Sequence, residues 1–275
     1  AVSDLTSKPY KGFKEGRYWE LTISDIDRLR VMVPELKEVT PVISRWGQTA
    51  VFQDNNANCN VKGIDNDYQK IESPKIRYGR YINEVDVVQK RKVCVIGKRI
   101  YTSLFPDGGD PCGSFIRVGS VYFKVIGVDF NSSNLSINGR ADETVMIPFP
   151  VAQTLYHMGD RVSLIAMTGK NGVQMTTLES RIRSIMAREH QFDPSDEQAL
   201  FVLNTEQMFA IMDNLFKGVN FLIWLVGLGT LLAGAVGVSN IMMVSVKERT
   251  TEIGIRRAIG ALPGEILWQI ISESI

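Results

Sequence analysis

The sequence predicts an α+β domain followed by one membrane-spanning α-helix. Three observations predict it. Residues 218–246, GVNFLIWLVGLGTLLAGAVGVSNIMMVSV, contain no Asp, Glu, Lys, Arg or His over about 29 positions. The roughly 215 residues before them alternate short apolar runs with turns rich in Gly, Pro and Asn. Two stretches of helical spacing lie among those runs, one near each end of the domain.

The membrane helix is the firmest element. At 1.5 Å per residue its charge-free run reaches about 43 Å. A bilayer core is about 30 Å thick. The run lies too near the C-terminus and is too long for a secretion signal. Its flanks orient it. Lys217 is the sole basic residue in the roughly 20 positions upstream, whereas Lys247, Arg249, Arg256 and Arg257 follow directly. Basic flanks stay in the cytoplasm, so the tail is expected there. The long N-terminal part is expected outside the cytoplasm, on the other side of the inner membrane.

Composition narrows the function classes. With 31 basic and 30 acidic residues the formal charge is +1, so no nucleic-acid footprint is expected. Cys59, Cys94 and Cys112 allow at most one disulfide, which is no disulfide framework. Cys94, inside VCVIG, reads as a small core residue. The chain opens on AVSDLTSKPY and stops inside ILWQIISESI, which still reads as helix. A piece of a longer chain is expected.

In order, the first 22 residues are polar with interspersed aromatics. Ser24-x-x-Asp27 then reads as a capping box for a short helix with Ile26, Leu29 and Val33 on one face, stopped by Pro34. VTPVISRWGQTAVFQ alternates as strand, NANCN reads as a polar turn, and NVKGIDNDY as a strand running into a turn. VCVIG, FIRV and YFKVIGVDF predict a small β-rich unit. TVMIPFP is a further strand and VAQTLYHM a short helix. RVSLIAMT is a strand. Thr176-x-x-Glu179 reads as a second capping box, opening a helix with Leu178, Ile182, Ile185 and Met186 on one face. ALFVLN is a strand after it. The outer half is therefore expected to hold two βαβ-like units around a β-rich insertion. TEQMFAIMDNLFK, residues 205–217, is a helix leading into the membrane.

Catalytic signatures are missing from the sequence. GKRIYTSLF lacks the glycine spacing of a P-loop, so no ATP site is expected. His157 and His190 have no partner at metal-ligand spacing, and no G-x-S-x-G occurs. No catalytic, cofactor or metal residue is assigned. The pairs Asp25/Asp27 and Asp65/Asp67 fit caps and turns. Asn131-Ser132-Ser133 and Asn134-Leu135-Ser136 match the glycosylation pattern, a match common by chance.

Two stretches suggest interaction. Gly229, Ala233 and Gly237 recur every fourth residue, a small-residue face that lets another helix approach closely. The bland reading is that such residues are common in membrane helices. The tail KERTTEIGIRRAIGALPGEILWQIISESI is amphipathic and mixed in charge, broken at Gly260 and Pro263-Gly264. It is either a juxtamembrane helix on anionic lipid or a cytoplasmic docking surface.

SNIMMVSVKERTTEIGIRRAIGA closely resembles the end of the second transmembrane helix and the following loop of MacB-type, FtsX-like ABC transporter permeases. The outer half carries weaker, collinear pieces of the same pattern. They are Gly79, Arg80 and Asp86 in YGRYINEVD, then VCVIGKRIYTSLF, DPCGSFIRVGSVYFKVIGV and TVMIPFPVAQ. At Cys112 the family more often has an aliphatic residue, and no redox role is assigned to it.

The resemblance implies a porter-like α/β lobe (residues 1–75 and 150–205) with a β-rich lobe inserted (76–149). Residues 206–246 would be stalk and membrane helix, and 247–275 a coupling segment running into the next helix. It implies pairing of two permease copies and a P-loop ATPase partner, fused or separate, which carries ATP and Mg. A periplasmic adaptor and an outer-membrane channel are further partners it implies. Lys247, Glu248, Arg249, Glu252, Ile253, Arg256 and Arg257 would meet the ATPase. The task implied is export or extraction of macrolides, peptides or lipoproteins, with activation of a cell-wall hydrolase as the alternative. A membrane-anchored enzyme is the third class, disfavoured by the missing catalytic constellation.

Overall fold

The computed structural model describes residues 1–131 and 138–273. The chain divides into two compact units, Ala1–Glu206 and Gln207–Ile275. In chain order the first contains β1 (Val2–Ser3), β2 (Leu21–Thr22), α1 (Ile23–Met32), β3 (Leu36–Phe52), β4 (Asn55–Ile64) and β5 (Ile76–Gly79). Then come α2 (Glu84–Val88), β6 (Val93–Gly97), α3 (Lys98–Leu104), β7 (Phe115–Val118), β8 (Val121–Asp129) and β9 (Thr144–Pro148). The unit closes with α4 (Phe149–Leu155), β10 (Arg161–Val162), β11 (Leu164–Gly169), α5 (Met175–His190) and β12 (Leu200–Phe201). α6 (Thr205–Glu248), α7 (Thr250–Ala258) and α8 (Pro263–Glu273) follow.

One mixed sheet in the order β11-β3-β4-β9-β6-β8-β5 is the frame, with β7 bridging β3 and β8. Its strands alternate between two cores, as period-two geometry demands, with the parity reset at bulges such as that between Arg45 and Gln48 on β3. Val39, Ile43, Val61, Cys94, Ile96, Val145 and Ile147 face a layer of helices. That layer supplies Ile26 and Leu29 from α1, Leu104 from α3, Ala152 from α4, and Leu178, Ile182 and Met186 from α5. Val42, Ile64, Val95, Met146, Leu164 and Ala166 face the opposite side, covered by Tyr68, Tyr81 and Ile82. Strands from residues 76–149 join the rest of this sheet through the parallel β4–β9 pairing and the antiparallel β3–β7 pairing.

Several local expectations are corrected. The first capping box is Thr22 with Asp25, not Ser24 with Asp27. Asp25 is fully buried and its carboxylate accepts from the Thr22 N–H at 2.8 Å. Asp27 lies on the outer face with Arg30. Thr176 is inside α5 rather than capping it. The first-turn Met175 N–H donates instead to the Glu206 carboxylate at 2.8 Å, and Glu179 pairs with Arg183. NANCN is no turn but part of β4, which buries Ala57, Cys59 and Asn60 and leaves Asn56 and Asn58 exposed. The turn is Gln53-Asp54, with Gln53 at φ 52°.

The two βαβ-like units are not formed around α1 and α5. β2 pairs with β10, and β12 with β1, each as a two-residue ribbon apart from the main sheet. ALFVLN can pair only briefly because β1 offers two residues and the chain then enters α6. The parallel pairs lie elsewhere, β4 with β9 and β6 with β8. All three cysteines are free. The two Asn-x-Ser triplets fall largely outside the described residues.

The family-like outer pieces prove to be joints. Arg80 clasps the fully buried Asp86 carboxylate with Nη1 at 2.5 Å and Nη2 at 3.0 Å. Asp86 also accepts from the Asn83 N–H, closing a capping box on α2. Burial alone would raise the Asp86 carboxyl, but Arg80 and Asn83 outweigh it and hold it below its ordinary value. Gly79 sits at φ +69°, and a Cβ there would lie 2.0 Å from the Ile126 carbonyl oxygen. A Cβ on Gly127 would lie 2.2 Å from that of Arg80. The two backbones therefore meet only because both residues lack a side chain.

Candidate coupling site

The second unit begins with α6, 44 residues long, which at 1.5 Å per residue is about 66 Å. That exceeds a bilayer core by roughly 36 Å. Its first three and a half turns carry Glu206, Asp213 and Lys217, the last two paired at 3.1 Å. The apolar run follows without a break in the helix and is exposed along its length. Gly229, Ala233 and Gly237 lie at i, i+4 and i+8 on it. A Cβ built on either glycine meets nothing within 4 Å, so the face stands open. Gly227 and Gly234 open a second shallow trough beside Trp224, Leu228 and Leu231. Sequence reasoning passed over these two, although their spacing of seven is a heptad repeat.

The tail folds back on the end of α6 within this unit. Lys247 and Glu248 form the last turn of α6, and Arg249 is the N-cap of α7. Glu252, Ile253, Arg256 and Arg257 lie on α7. That helix ends in a Schellman motif. Gly260, at φ +104°, donates to the Arg257 carbonyl, and Ala261 to that of Arg256. Pro263 then opens α8.

The charged set divides in two. Arg256, though exposed, is bonded on the surface, donating to Glu252 Oε1 at 2.7 Å and to Gln269 Oε1 of α8 at 2.5 Å. Arg249 and Ile253 line an apolar groove of about 570 Å³ with Ile241, Met242, Val246 and Ile270. Lys247, Glu248 and Arg257 stay exposed, and among the described residues their side chains make no ion pair. The site residues read from sequence are thus brought together on one short helical corner. Arg256 and Ile253 hold the corner's shape, while Lys247, Glu248 and Arg257 present charge outward. Sequence reasoning missed Gln269 and Ile270, whose signal lay in α8's own amphipathic pattern. Among the described residues no cluster of three or more His, Cys, Asp or Glu could hold a metal.

Comparison with known proteins gives two family matches. Residues 3–185 match the MacB-like periplasmic core domain, and residues 224–275 match the FtsX-like permease C-terminal family. The macrolide export ATP-binding/permease protein MacB of Bdellovibrio bacteriovorus is 28% identical over 258 residues, 93% of this chain and 39% of its own. The pyoverdine export ATP-binding/permease protein PvdT of Pseudomonas entomophila is 28% identical over 262 residues, 93% of this chain and 38% of its own. The chain thus spans about two fifths of the length of these relatives. Among solved structures, the periplasmic region of MacB from Actinobacillus actinomycetemcomitans superposes with a TM-score of 0.58 at 22% identity. It covers 76% of this chain and 91% of its own. The extracellular domain of YknZ from Gram-positive bacteria gives 0.56 at 17% identity, covering 72% and 97%. These likenesses establish the fold of the outer unit. With the long apolar helix after it, they describe a membrane protein with an extracytoplasmic domain.

Proposed function

This chain belongs to the MacB-type, FtsX-like permease family, and from that premise we infer a mechanical role for it. It is the permease part of an ABC transporter, coupling cytoplasmic ATP hydrolysis to movement of its extracytoplasmic domain. The observation that carries this reading is the exposed charged corner of Lys247, Glu248 and Arg257, built directly on the end of the membrane helix. A continuous helix transmits displacement along its axis, given a bundle with two packings. The tail lies in the cytoplasm by its basic flank. There it meets a P-loop ATPase that holds ATP and Mg, while this chain performs no catalysis itself.

Two permease copies pair through the open faces of α6, with Gly229, Ala233 and Gly237 at the contact. In the outer unit, residues 76–149 act as the inserted lobe against the porter-like remainder. The cargo is a substrate already outside the cytoplasm, of the macrolide, peptide or lipoprotein class, handed to an adaptor and outer-membrane channel. The named relatives are exporters, which supports this task over activation of a cell-wall hydrolase.

The test is charge reversal on the full-length protein with its ATPase, reconstituted in lipid. Arg257→Glu should leave the helical corner intact and reduce transport at least tenfold while ATP hydrolysis persists. Arg256→Glu should lose both, because it also breaks the bonds to Glu252 and Gln269. Normal transport by both variants would sink the docking role at these positions.

A further inference from the structure

Resting on the coupling reading above, we propose that α5 is the element through which displacement of α6 enters the outer unit, with Glu206 as the positioning residue that joins them. Every residue that carries this lies in the outer unit, which ends at Glu206. The sequence of α5 leaves its own start open. Its N-cap, Gln174, makes no side-chain cap bond, and its first turn holds no acid. The first N–H groups of a helix have no partner within it. The Met175 N–H donates to the Glu206 carboxylate at 2.8 Å, across 31 positions of sequence. Glu206 is itself in the first turn of α6, where its own N–H donates to Asn204 Oδ1 at 3.1 Å. One carboxylate therefore answers the positive ends of two helices. Without its charge those two ends meet as like partial charges.

The same helix holds the rest of the segment that leads into α6. Buried Asn204 donates from Nδ2 to Thr176 Oγ1 at 3.5 Å. Buried Arg183, about two turns further along α5, donates from Nη1 to the Leu200 carbonyl at 2.7 Å and the Asp196 carbonyl at 3.1 Å. Residues 196–206 are thus bonded to α5 at both ends, whereas β12 has only the two rungs of β1. On its other faces α5 meets two different neighbours. Leu178, Ile182 and Met186 pack into the apolar core over the sheet. Polar bonds tie it to α1 along its length. Arg181 donates to Glu35 at 2.8 Å and to the Met32 carbonyl at 2.6 Å, Glu189 pairs with Arg28 at 2.7 Å, and His190 meets Asp25 at 3.0 Å. The chain returns to β11 through residues 170–174, where Gly172 sits at φ +84° in open space. The exit segment, α5 and α1 therefore form one directionally bonded layer, which rests on the strands largely by non-directional apolar contact. A pull at Glu206 reaches that layer first, and its natural response is shear over the sheet.

The test uses the full-length permease with its ATPase in lipid, in a Cys112→Ser background. Spin labels are carried by Asn214→Cys on α6 and, in a second sample, by Val31→Cys on α1, both at exposed positions. Distances between paired copies are read with and without ATP. In the parent both label pairs should shift on ATP binding. In Glu206→Ala the α6 pair should shift as before, and the α1 pair no more than about half as far. Glu206→Gln keeps an acceptor for the Met175 N–H without the charge, and its α1 shift should fall between the two. Gln174→Asp gives α5 a cap of its own. Added to Glu206→Ala, it should restore the thermal midpoint of the outer unit but not the α1 shift. A full α1 shift in Glu206→Ala, or its recovery with Gln174→Asp, would overturn the proposal and leave the coupling reading standing. Parent α6 labels that ignore ATP would overturn the coupling reading and this inference with it.

Discussion

Replacing Arg80 by alanine should destabilise the outer unit more than replacing Asp86, although Arg80 is the more exposed partner. Asp86 is fully buried and Arg80 is 44% exposed. Removing Arg80 leaves a buried carboxylate with the Asn83 N–H and, at 3.6 Å, Arg91. An orphaned buried charge costs 3–5 kcal/mol, and the remaining partners place this case at the low end, about 3 kcal/mol. Removing Asp86 loses the α2 cap, about 1 kcal/mol. It also loses a pair whose arginine returns to water, at most about 1 kcal/mol. The sum is about 2 kcal/mol. Hydrogen exchange of β8 amides in the full chain reads both. Exchange through unfolding should quicken about 100-fold in Arg80→Ala and about 30-fold in Asp86→Ala. The pH response fixes the cause. The Asp86 carboxyl is held below its unfolded value, so its contribution is present above that value and is lost as pH falls through the folded one. In Arg80→Ala the carboxylate protonates more readily, so the penalty should shrink between pH 7 and pH 4.5. A larger loss in Asp86→Ala, or a pH-independent gap, would refute the reasoning.

Gly127→Ala should abolish folding of the outer unit, since its Cβ meets the Arg80 backbone, whereas Gly172→Ala, in open space, should cost about 1 kcal/mol through its positive φ; thermal melts separate them. His190→Ala should remove a 3.0 Å hydrogen bond from the buried Asp25. Burial pushes the Asp25 carboxyl up, and His190 and Thr22 pull it further down, so wild-type stability falls as pH drops through the folded value. That acid loss should be blunted in the variant, as urea titrations at pH 7 and pH 4 would show. Thiol labelling should reach half-buried Cys112 first, though slowly because burial pushes its thiol up to about 11. Cys59 and Cys94, buried in the core, should label only on unfolding, as mass spectrometry of timed quenches would show.

The membrane helix was legible from its charge-free run, and most strands of the main sheet and the amphipathic helices α1 and α5 were legible because burial imposes period. What was not legible follows from tertiary choice. Ser24-x-x-Asp27 and Thr22-x-x-Asp25 satisfy one capping pattern, and only the burial of Asp25 beside His190 decides between them. NANCN has a turn's composition, yet exposed Asn56 and Asn58 alternate with buried Ala57 and Cys59, which is the period of a strand. ALFVLN has a strand's composition, but pairing depends on a partner two residues long. At the coupling corner the charged residues could be listed from sequence. Their division into Arg256, bonded to Glu252 and Gln269, and Arg257, which makes no ion pair among the described residues, could not, because it depends on Gln269 arriving from α8.

The central claim is that nucleotide state in the cytoplasm moves the outer unit through α6 and the α7 corner. It is tested most directly by spin-label distances between the outer units of paired full-length permeases in lipid, with and without ATP. A shift of several ångströms on ATP binding, abolished by Arg257→Glu while hydrolysis continues, is the predicted result. Outer units that stay fixed on ATP binding, or that move equally in Arg257→Glu, would contradict the account.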